Sequence, residues 1–210
     1  MKAEMPTKYW SSMPETQLIN ERIREAPQRL QQMAKNTNTN AHVDMNLSLD
    51  ELRIKSQSCQ ACPLFKKAHN TVFGVGPKNA RIMIIGEQPG DQEDLKGLPF
   101  IGPAGEVLEK SLKENGLLRE NIYLTHAVKH FKWVPHTANG ETMHLHQKPS
   151  GAEAHACRPW LEAETAQIKP KIIIALGATA GTTVLGRLPK VSDERGKIFS
   201  MTAQTKIVLS

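Results

Sequence analysis

Three short apolar runs recur along the chain and predict β-strands. They span Arg81–Ile85, Asn121–Val128 and Ile172–Leu176, and each is bounded by glycine, proline or polar residues. Runs this short and this apolar are typical of parallel strands that are buried on both faces of a sheet.

Helical patterns separate the predicted strands. Residues Gly105–Asn115 place their apolar side chains on one helical face and are followed by Gly116, a residue typical of the position just after a helix. A second helix is predicted over Ser150–Ile168, with a serine cap at its start, although Pro159 leaves its middle open. Strands that alternate with helices predict an α/β fold in which helices flank a parallel sheet.

The polar residues divide the chain into an N-terminal piece and one larger module. Residues 1–35 have apolar positions at helical spacing but are too few to form a core, and residues 36–47 have the polar, aperiodic composition of a linker. Ser48 and Glu51 form a capping-box pattern, which marks the start of a helix. We therefore predict one α/β domain over residues 48–210.

Composition adds a preference for anionic partners. The chain has 27 Lys and Arg against 21 Asp and Glu, for a net charge of +6. The surplus is concentrated in a loop-like segment, residues 126–150, where histidines and lysines outnumber a single acid, Glu141. This charge favours phosphate binding. No apolar run can cross a bilayer and no signal-peptide pattern opens the chain, so a cytoplasmic protein without a membrane partner is expected.

Three cysteines indicate a metal site. An odd number without a secretion signal argues against a disulfide framework. Cys59 and Cys62 have the Cys-x-x-Cys spacing that places two thiolates on one metal, and Cys157 can supply a third ligand. His130 is a candidate fourth ligand, because imidazole can replace thiolate on zinc or iron. Spacing alone leaves zinc and an iron–sulfur cluster equally open.

Carboxylates and glycines follow the first predicted strand, in the segment GEQPGDQED (86–94). Gly86 lets the backbone approach a ligand closely, while Glu87 and Asp91 can stabilise a developing positive charge or orient a water molecule. Further on, Phe100 lies in a glycine-flanked turn where its ring can stack on a planar base. Ligands of parallel sheets bind beyond the carboxyl ends of the strands, so these residues predict a binding site there.

Five segments together resemble the uracil-DNA glycosylase superfamily, and within it the UdgX branch beside the iron–sulfur family 4 enzymes. In chain order they are GEQPGDQED, GLPFIGPAG, AVKHFKW, HQKPS and ACRPW, and the resemblance runs from about Leu49 to the end of the chain. It implies a three-layer α/β sandwich, in agreement with the strand and helix pattern. It also implies a 4Fe–4S cluster held by Cys59, Cys62, His130 and Cys157.

The resemblance implies base excision in DNA repair with an unusual outcome. UdgX-like proteins cleave the bond between uracil and deoxyribose and then trap the sugar covalently on a loop histidine, which corresponds to His146. An imidazole held close to the oxocarbenium-like C1′ can attack it faster than water. The implied partner is single-stranded DNA that contains uracil, bound by a monomer. The implied roles are catalytic for Glu87, Gln88 and Asp91, and substrate-binding for Gly86, Phe100, His126 and Lys148.

Basic residues near His146 have smaller expected roles. Lys129 and Lys132, like Lys148, are expected to contact DNA phosphates. His144 is expected to be an ordinary residue of the same loop.

Two departures from the family pattern bear on activity. His126 stands where the family usually has an asparagine that reads the uracil edge, and imidazole offers different donors and acceptors. The sequence stops at residues 207–210, in a strand that leads to a His-Pro-Ser loop in the family. Residues 8–27 look like the tail of a DNA-repair domain fused ahead of UdgX. A C-terminally incomplete domain behind a helical remnant is therefore expected.

Three functions remain open on the sequence. The leading hypothesis is a uracil-DNA glycosylase that keeps the sugar on His146. The second is a hydrolytic uracil-DNA glycosylase that releases an abasic site. The third is an inactive iron–sulfur fragment that binds DNA without regard to uracil.

Overall fold

A computed structural model describes residues 41–138 and 141–210, with side chains left undescribed at 138, 141 and 142. The helical remnant predicted over residues 1–35 lies outside the described residues, as do residues 36–40 of the predicted linker. The last part of that linker packs against the domain, because Ala41 is buried and its N–H donates to the carbonyl of Ala156 at 3.2 Å.

The central sheet has five strands in the order β2-β1-β5-β7-β6. Strands β2, β1, β5 and β7 run parallel, and the edge strand β6 pairs antiparallel with β7. A separate antiparallel hairpin is formed by β3 and β4. The strand bounds are β1 Ile82–Gly86, β2 Ile122–His126, β3 Trp133–Ala138, β4 Glu141–His146, β5 Ile172–Ala175, β6 Ile198–Ser200 and β7 Lys206–Leu209.

Helices cover both faces of the sheet. Alternate residues of β1 belong to two different cores: Met83 and Ile85 pack with one set of helices, and Ile84 packs with Phe100 and Leu112 on the other face. This three-layer arrangement confirms the predicted fold. The helices are α1 Leu49–Ser56, α2 Asp91–Lys96, α3 Pro103–Glu114, α4 Gly151–Ile168, α5 Gly177–Leu185 and α6 Val191–Glu194, with short 3₁₀ turns at Pro63–Lys66 and Arg119–Asn121.

Local signals in the sequence account for the helix ends. Ser48 and Glu51 form the predicted capping box at the start of α1, and Ser150 forms another with Glu153 at the start of α4. Helix α4 continues through Pro159 to Ile168, so the proline does not divide it. Among the described residues, no helix is long and apolar enough to span a lipid bilayer.

Two segments without a predicted element have regular structure. Asp91–Lys96 in the acidic segment forms α2, which starts after Gly90 and ends at Gly97 in the left-handed conformation (φ 69°). The histidine-rich segment is largely the β3–β4 hairpin, in which Val134 pairs with Leu145 and Trp133 with His146. The loop prediction was wrong there because cross-strand partners, which composition does not reveal, stabilise the two short strands.

A buried ion pair connects the sheet to helix α4. The Lys129 ammonium lies 2.5 Å from the Glu164 carboxylate, and both side chains are sealed from solvent. Lys129 also donates to the Thr125 hydroxyl at 2.6 Å and to the His126 carbonyl at 2.8 Å, so each of its three N–H groups has an acceptor. The expected phosphate contact at Lys129 is therefore wrong, because the pair holds this charge inside the protein.

Glu164 is equally well satisfied. It accepts hydrogen bonds from the Gly74 amide at 2.9 Å, the Tyr123 hydroxyl at 3.0 Å and the Thr125 hydroxyl at 3.0 Å. A Cβ at position 74 would lie 2.5 Å from the Glu164 carboxylate, so only glycine fits there. Burial raises the pKa of Tyr123, and the charge of Glu164 raises it further. The Tyr123 hydroxyl therefore stays protonated and can donate its hydrogen bond.

We expect Lys129→Met to lower the free energy of unfolding by about 3–5 kcal/mol, because it leaves a carboxylate buried without a countercharge. Urea unfolding followed by circular dichroism measures this loss. The control is Lys78→Met, which breaks a solvent-screened pair with Asp50 and should cause a much smaller loss. Equal, small losses in both variants would contradict the structural importance of the pair.

Candidate active site

A cleft of about 500 Å³ opens at the carboxyl ends of β1 and β2. Residues from five places in the sequence line it: the segment after β1, the turn into α3, the end of β2, the end of β4 and the residue after β5. Seven residues predicted from the sequence meet here, namely Gly86, Glu87, Gln88, Asp91, Phe100, His126 and His146.

An aromatic stack forms one wall of the cleft. The rings of Phe100 and His126 are 4.7 Å apart and inclined by 14°. A Cβ on Gly86 would lie 2.8 Å from the imidazole and 2.9 Å from the phenyl ring, so glycine is required at the end of β1. Phe100 has a positive φ of 55°, and Arg119 donates to its carbonyl at 3.0 Å. The Phe100 backbone, which positions the ring, is thus held in a conformation that a free chain seldom adopts.

His126 is a neutral imidazole with an unused nitrogen. Burial, aided by the charge of Lys129, lowers the pKa of His126 to about 3. Its Nε2 lies 3.5 Å from the Glu93 carboxylate, while its buried Nδ1 has no hydrogen-bond partner in the described part of the chain. Burial likewise raises the pKa of Glu93. A buried polar atom without a partner is costly, which makes Nδ1 a candidate for ligand recognition.

Glu87 and His146 face each other at the mouth of the cleft. The Nε2 atom of His146 lies 3.9 Å from the Glu87 carboxylate, and half of the His146 side chain is exposed. Glu87 accepts a hydrogen bond from the Thr179 hydroxyl at the start of α5. The carboxylate is therefore oriented by a neighbouring helix, while the histidine stays open to a substrate.

Gln88 ties the hairpin to the sheet. Its buried amide donates to the carbonyls of Lys132 at 3.2 Å and Gln147 at 3.0 Å, and it accepts from the Lys132 N–H at 3.1 Å. These residues are the two feet of the hairpin, immediately before β3 and after His146. The geometry gives Gln88 a positioning role. The contact with uracil or the sugar that the resemblance implies stays a prediction.

A second side-chain contact fixes the hairpin to α2. His144 Nδ1 lies 2.6 Å from the Asp91 carboxylate, and its ring stacks on Trp133 at 3.7 Å. The Trp133 indole N–H donates to the Lys67 carbonyl at 3.3 Å. His144 is therefore a strand residue with a structural contact, so its assignment to a loop was wrong.

Two other predicted residues, and Asp94 at the end of the acidic segment, lie away from the cleft. The Lys132 ammonium lies 2.8 Å from the Glu153 carboxylate. The charge that was expected to contact phosphate is therefore paired within the protein. Lys148 is exposed in a neighbouring groove. Asp94 is fully buried and accepts from the amides of His69 and Asn70, so it holds that turn in place.

The three cysteines converge on one side of α4. Cys62 and Cys157 are buried, Cys59 is half-buried, and all three are free thiols. Burial raises the pKa of the Cys157 thiol to about 12, and the other two cysteines raise it further. His130 follows Lys129, whose backbone N–H donates to the Cys157 sulfur at 3.2 Å. Burial also lowers the pKa of His130, which favours the neutral, ligating imidazole.

The donor set fits an iron–sulfur cluster in chemistry. The Trp160 indole N–H donates to the Cys59 sulfur at 3.2 Å, as the Lys129 amide does to Cys157. Such N–H groups stabilise the negative charge of thiolate ligands. Within the described ranges, no three His, Cys, Asp or Glu side chains are grouped closely enough to hold a metal ion.

Sequence reasoning missed Thr179, Glu93 and Trp133. Thr179 lies just beyond the carboxyl end of β5, where the rule that located Glu87 also applies. Glu93 was quoted within the acidic segment without a role, and its contact with His126 depends on the α2 helix. No sequence signal distinguishes Trp133, because its role comes from pairing across the hairpin.

Comparison with known proteins places this geometry in a family context. A family model described as the uracil DNA glycosylase superfamily matches residues 73–210. The type-4 uracil-DNA glycosylase of Thermotoga maritima is 35% identical over 153 residues, which cover 72% of this chain and 74% of that protein. The type-4 enzymes of Pyrobaculum aerophilum and Archaeoglobus fulgidus are 35% and 33% identical, each covering 73% of this chain and 74% of the relative.

We expect His126 to make the protein less stable in acid. Its pKa is lowered to about 3 in the folded state, so below pH 6.5 only the unfolded chain takes up this proton. Stability present above pH 6.5 is therefore lost as the pH falls, by up to about 1.4 kcal/mol for each unit. Urea unfolding of wild type and His126→Asn between pH 7 and 4.5 measures the difference. Parallel pH profiles of the two proteins would contradict it.

Proposed function

Because the chain belongs to the uracil DNA glycosylase superfamily, we propose that it excises uracil from DNA and keeps the sugar on His146. The observation that carries the proposal is a half-exposed imidazole 3.9 Å from Glu87, at the mouth of a cleft whose wall is the Phe100–His126 stack. The relatives named as type-4 uracil-DNA glycosylases support the excision step. Trapping on His146 goes beyond those names.

Base recognition comes first. The target nucleotide leaves the DNA stack at a cost of a few kcal/mol, which contacts inside the cleft offset. Phe100 supplies an aromatic face for the base. If His126 donates from Nε2 to Glu93, its unpartnered Nδ1 is an acceptor, which suits the N3–H of uracil and opposes the bare N3 of cytosine. One imidazole nitrogen thus takes over part of the uracil recognition that the asparagine amide provides in the family.

Bond cleavage creates positive charge at C1′, close to the Glu87 carboxylate. When the glycosidic bond breaks, its electron pair leaves with uracil N1 and C1′ becomes oxocarbenium-like. The Glu87 carboxylate, oriented by Thr179, stabilises that positive charge. No covalent bond to Glu87 is required.

Trapping follows at the same place. A neutral His146 uses the Nε2 lone pair to form a bond with C1′, and the resulting imidazolium releases the proton on Nδ1. The leaving uracil takes up one proton, so the sum of the two steps joins sugar to histidine and frees uracil. Gln88 and the His144–Asp91 contact hold β4 on either side of the nucleophile, which favours a short-range attack over hydrolysis.

We propose a 4Fe–4S cluster held by Cys59, Cys62, Cys157 and His130. When bound, the cluster supplies a covalent link between the ligand segments and takes no part in cleavage. Single-stranded DNA is the proposed partner, because extruding a base costs the least free energy when the strand is already unpaired. The protein is proposed to act as a monomer.

We expect wild-type protein and a uracil-containing single strand to form an adduct that survives heat and detergent. His146→Ala should reduce adduct yield by at least about 100-fold, because no other nucleophile replaces the imidazole. The measurement is denaturing gel electrophoresis with a 5′-labelled strand and an alkali-treated duplicate. The matched control, His136→Ala, removes an exposed histidine of the same hairpin and should leave the yield unchanged.

The same gel separates the other two functions. An alkali-labile strand without an adduct from the wild type would identify a hydrolytic glycosylase and contradict trapping. Unmodified DNA that is nevertheless bound would identify a DNA-binding protein without excision. An adduct that persists in His146→Ala would show that another residue is the nucleophile.

We expect protein purified without oxygen to be brown and to contain about four irons per chain, since the proposed ligand set is that of a 4Fe–4S cluster. Iron analysis and visible absorption measure this directly. Cys157→Ala should lose most of the iron, whereas Thr71→Val, which alters only a hydroxyl beside His130, should retain it. Colourless protein with stoichiometric zinc would contradict the cluster.

A further inference from the structure

A groove lies at the end of the sheet opposite the cleft. It has a volume of about 530 Å³ and opens at the amino ends of β1, β2 and β5. Because β1 is 5 residues long, about 16 Å of strand separate this groove from the cleft. The proposed excision chemistry uses none of the residues that line it, so a molecule bound there would leave the cleft open to DNA.

The floor of this groove is apolar. Ile82, Ile122 and Ile172 begin the three strands and are register partners, with Ile82 in the middle. Leu117 and Leu118, from the loop before β2, complete the apolar lining. Leu118 is 58% exposed and Ile172 is 38% exposed. Large apolar side chains that adjoin one another in water are typical of a surface that binds another protein.

Two cations line the groove side by side. Arg81 and Lys171 immediately precede the register partners Ile82 and Ile172, and the Lys171 N–H donates to the Arg81 carbonyl at 2.9 Å. Both cations are exposed, and neither is paired with a carboxylate in the described part of the chain. The lining contains no Asp or Glu. Like charges on neighbouring strands repel each other, so an anionic group beside both cations would lower the free energy.

We propose that this groove binds an acidic peptide segment of a partner protein. An apolar side chain of the peptide packs on the isoleucine and leucine floor, and its carboxylates lie beside Arg81 and Lys171. The charges disfavour a second copy of this chain, because a symmetric contact would place the same cations against each other. A nucleic-acid strand would match the cations but would offer its phosphates, rather than an apolar anchor, to the floor. This inference does not depend on the proposed function.

The test is binding of the full chain to a fluorescent peptide with the sequence Asp-Leu-Asp-Leu-Asp, measured by anisotropy. Two further peptides separate the contributions, since Asp-Ser-Asp-Ser-Asp keeps the charge without the anchors and Lys-Leu-Lys-Leu-Lys keeps the anchors with the opposite charge. The acidic leucine peptide should bind at least about tenfold more tightly than either of them, because only it matches both the cations and the floor.

Variants locate this binding in the groove. Arg81→Gln/Lys171→Gln should weaken binding of the acidic leucine peptide by about tenfold, and Leu118→Ser, which alters the floor, should also weaken it. The matched control, Lys55→Gln/Lys96→Gln, removes two exposed lysines outside the groove and changes the net charge equally. It should bind like wild type. Circular dichroism checks that each variant keeps its fold.

Several outcomes would overturn the peptide site. They include equal binding of the three peptides and equal weakening in the two double variants. If a uracil-free single strand competes for the groove and itself binds less tightly to Arg81→Gln/Lys171→Gln alone, the occupant is DNA. If wild type forms dimers that Leu118→Ser abolishes, the occupant is a second copy. The adduct assay on uracil-containing DNA, which the groove variants should pass like wild type, reports separately on the proposed function.

Discussion

The Lys129–Glu164 pair joins the two chemically distinct regions of this protein. An ion pair without access to water is tolerated only when almost every lone pair and proton is used, and here four neighbouring groups satisfy it through five hydrogen bonds. The Lys129 side chain holds the carbonyl of His126, and its backbone N–H contacts the Cys157 sulfur. The cleft wall and the cysteine-bearing helix therefore share one anchor. If the cleft wall or the helix moved, a charge would remain in the apolar interior without its partner.

This anchor explains how a reactive region can be open while its frame is rigid. The sheet and α4 fix the Phe100–His126 wall, whereas His146 lies on a hairpin outside that sheet. The hairpin depends on side chains for its position, through Gln88 at its feet and the His144–Asp91 contact nearer its middle. The proposed nucleophile is then both exposed and well oriented, which is the combination that direct attack on a short-lived cation requires.

The sequence was sufficient for the sheet and for much of the cleft, for a physical reason. Buried parallel strands are apolar in every residue, so Ile82–Gly86 and Ile172–Ala175 are recognisable without any partner. Residues that follow such strands lie at the same edge of the sheet, which is why Glu87 was found, whereas His126 was identified through the family resemblance. The hairpin, the α2 helix and the burial of Lys129 depend on contacts distant in sequence. A lysine in a basic segment gives no local sign that a glutamate 35 residues later will enclose it.

The independence of the hairpin from the sheet has a consequence for how this fold diversifies. The described contacts through Gln88 at its base and His144 nearer its middle involve side chains and no pairing with the sheet, so the two strands can lengthen, shorten or exchange residues while the five-stranded frame stays intact. Under the proposed function, one imidazole presented or withheld by the hairpin decides between releasing the DNA strand and remaining bonded to it. Different repair outcomes then arise on a common scaffold through changes in the hairpin Trp133–His146 alone.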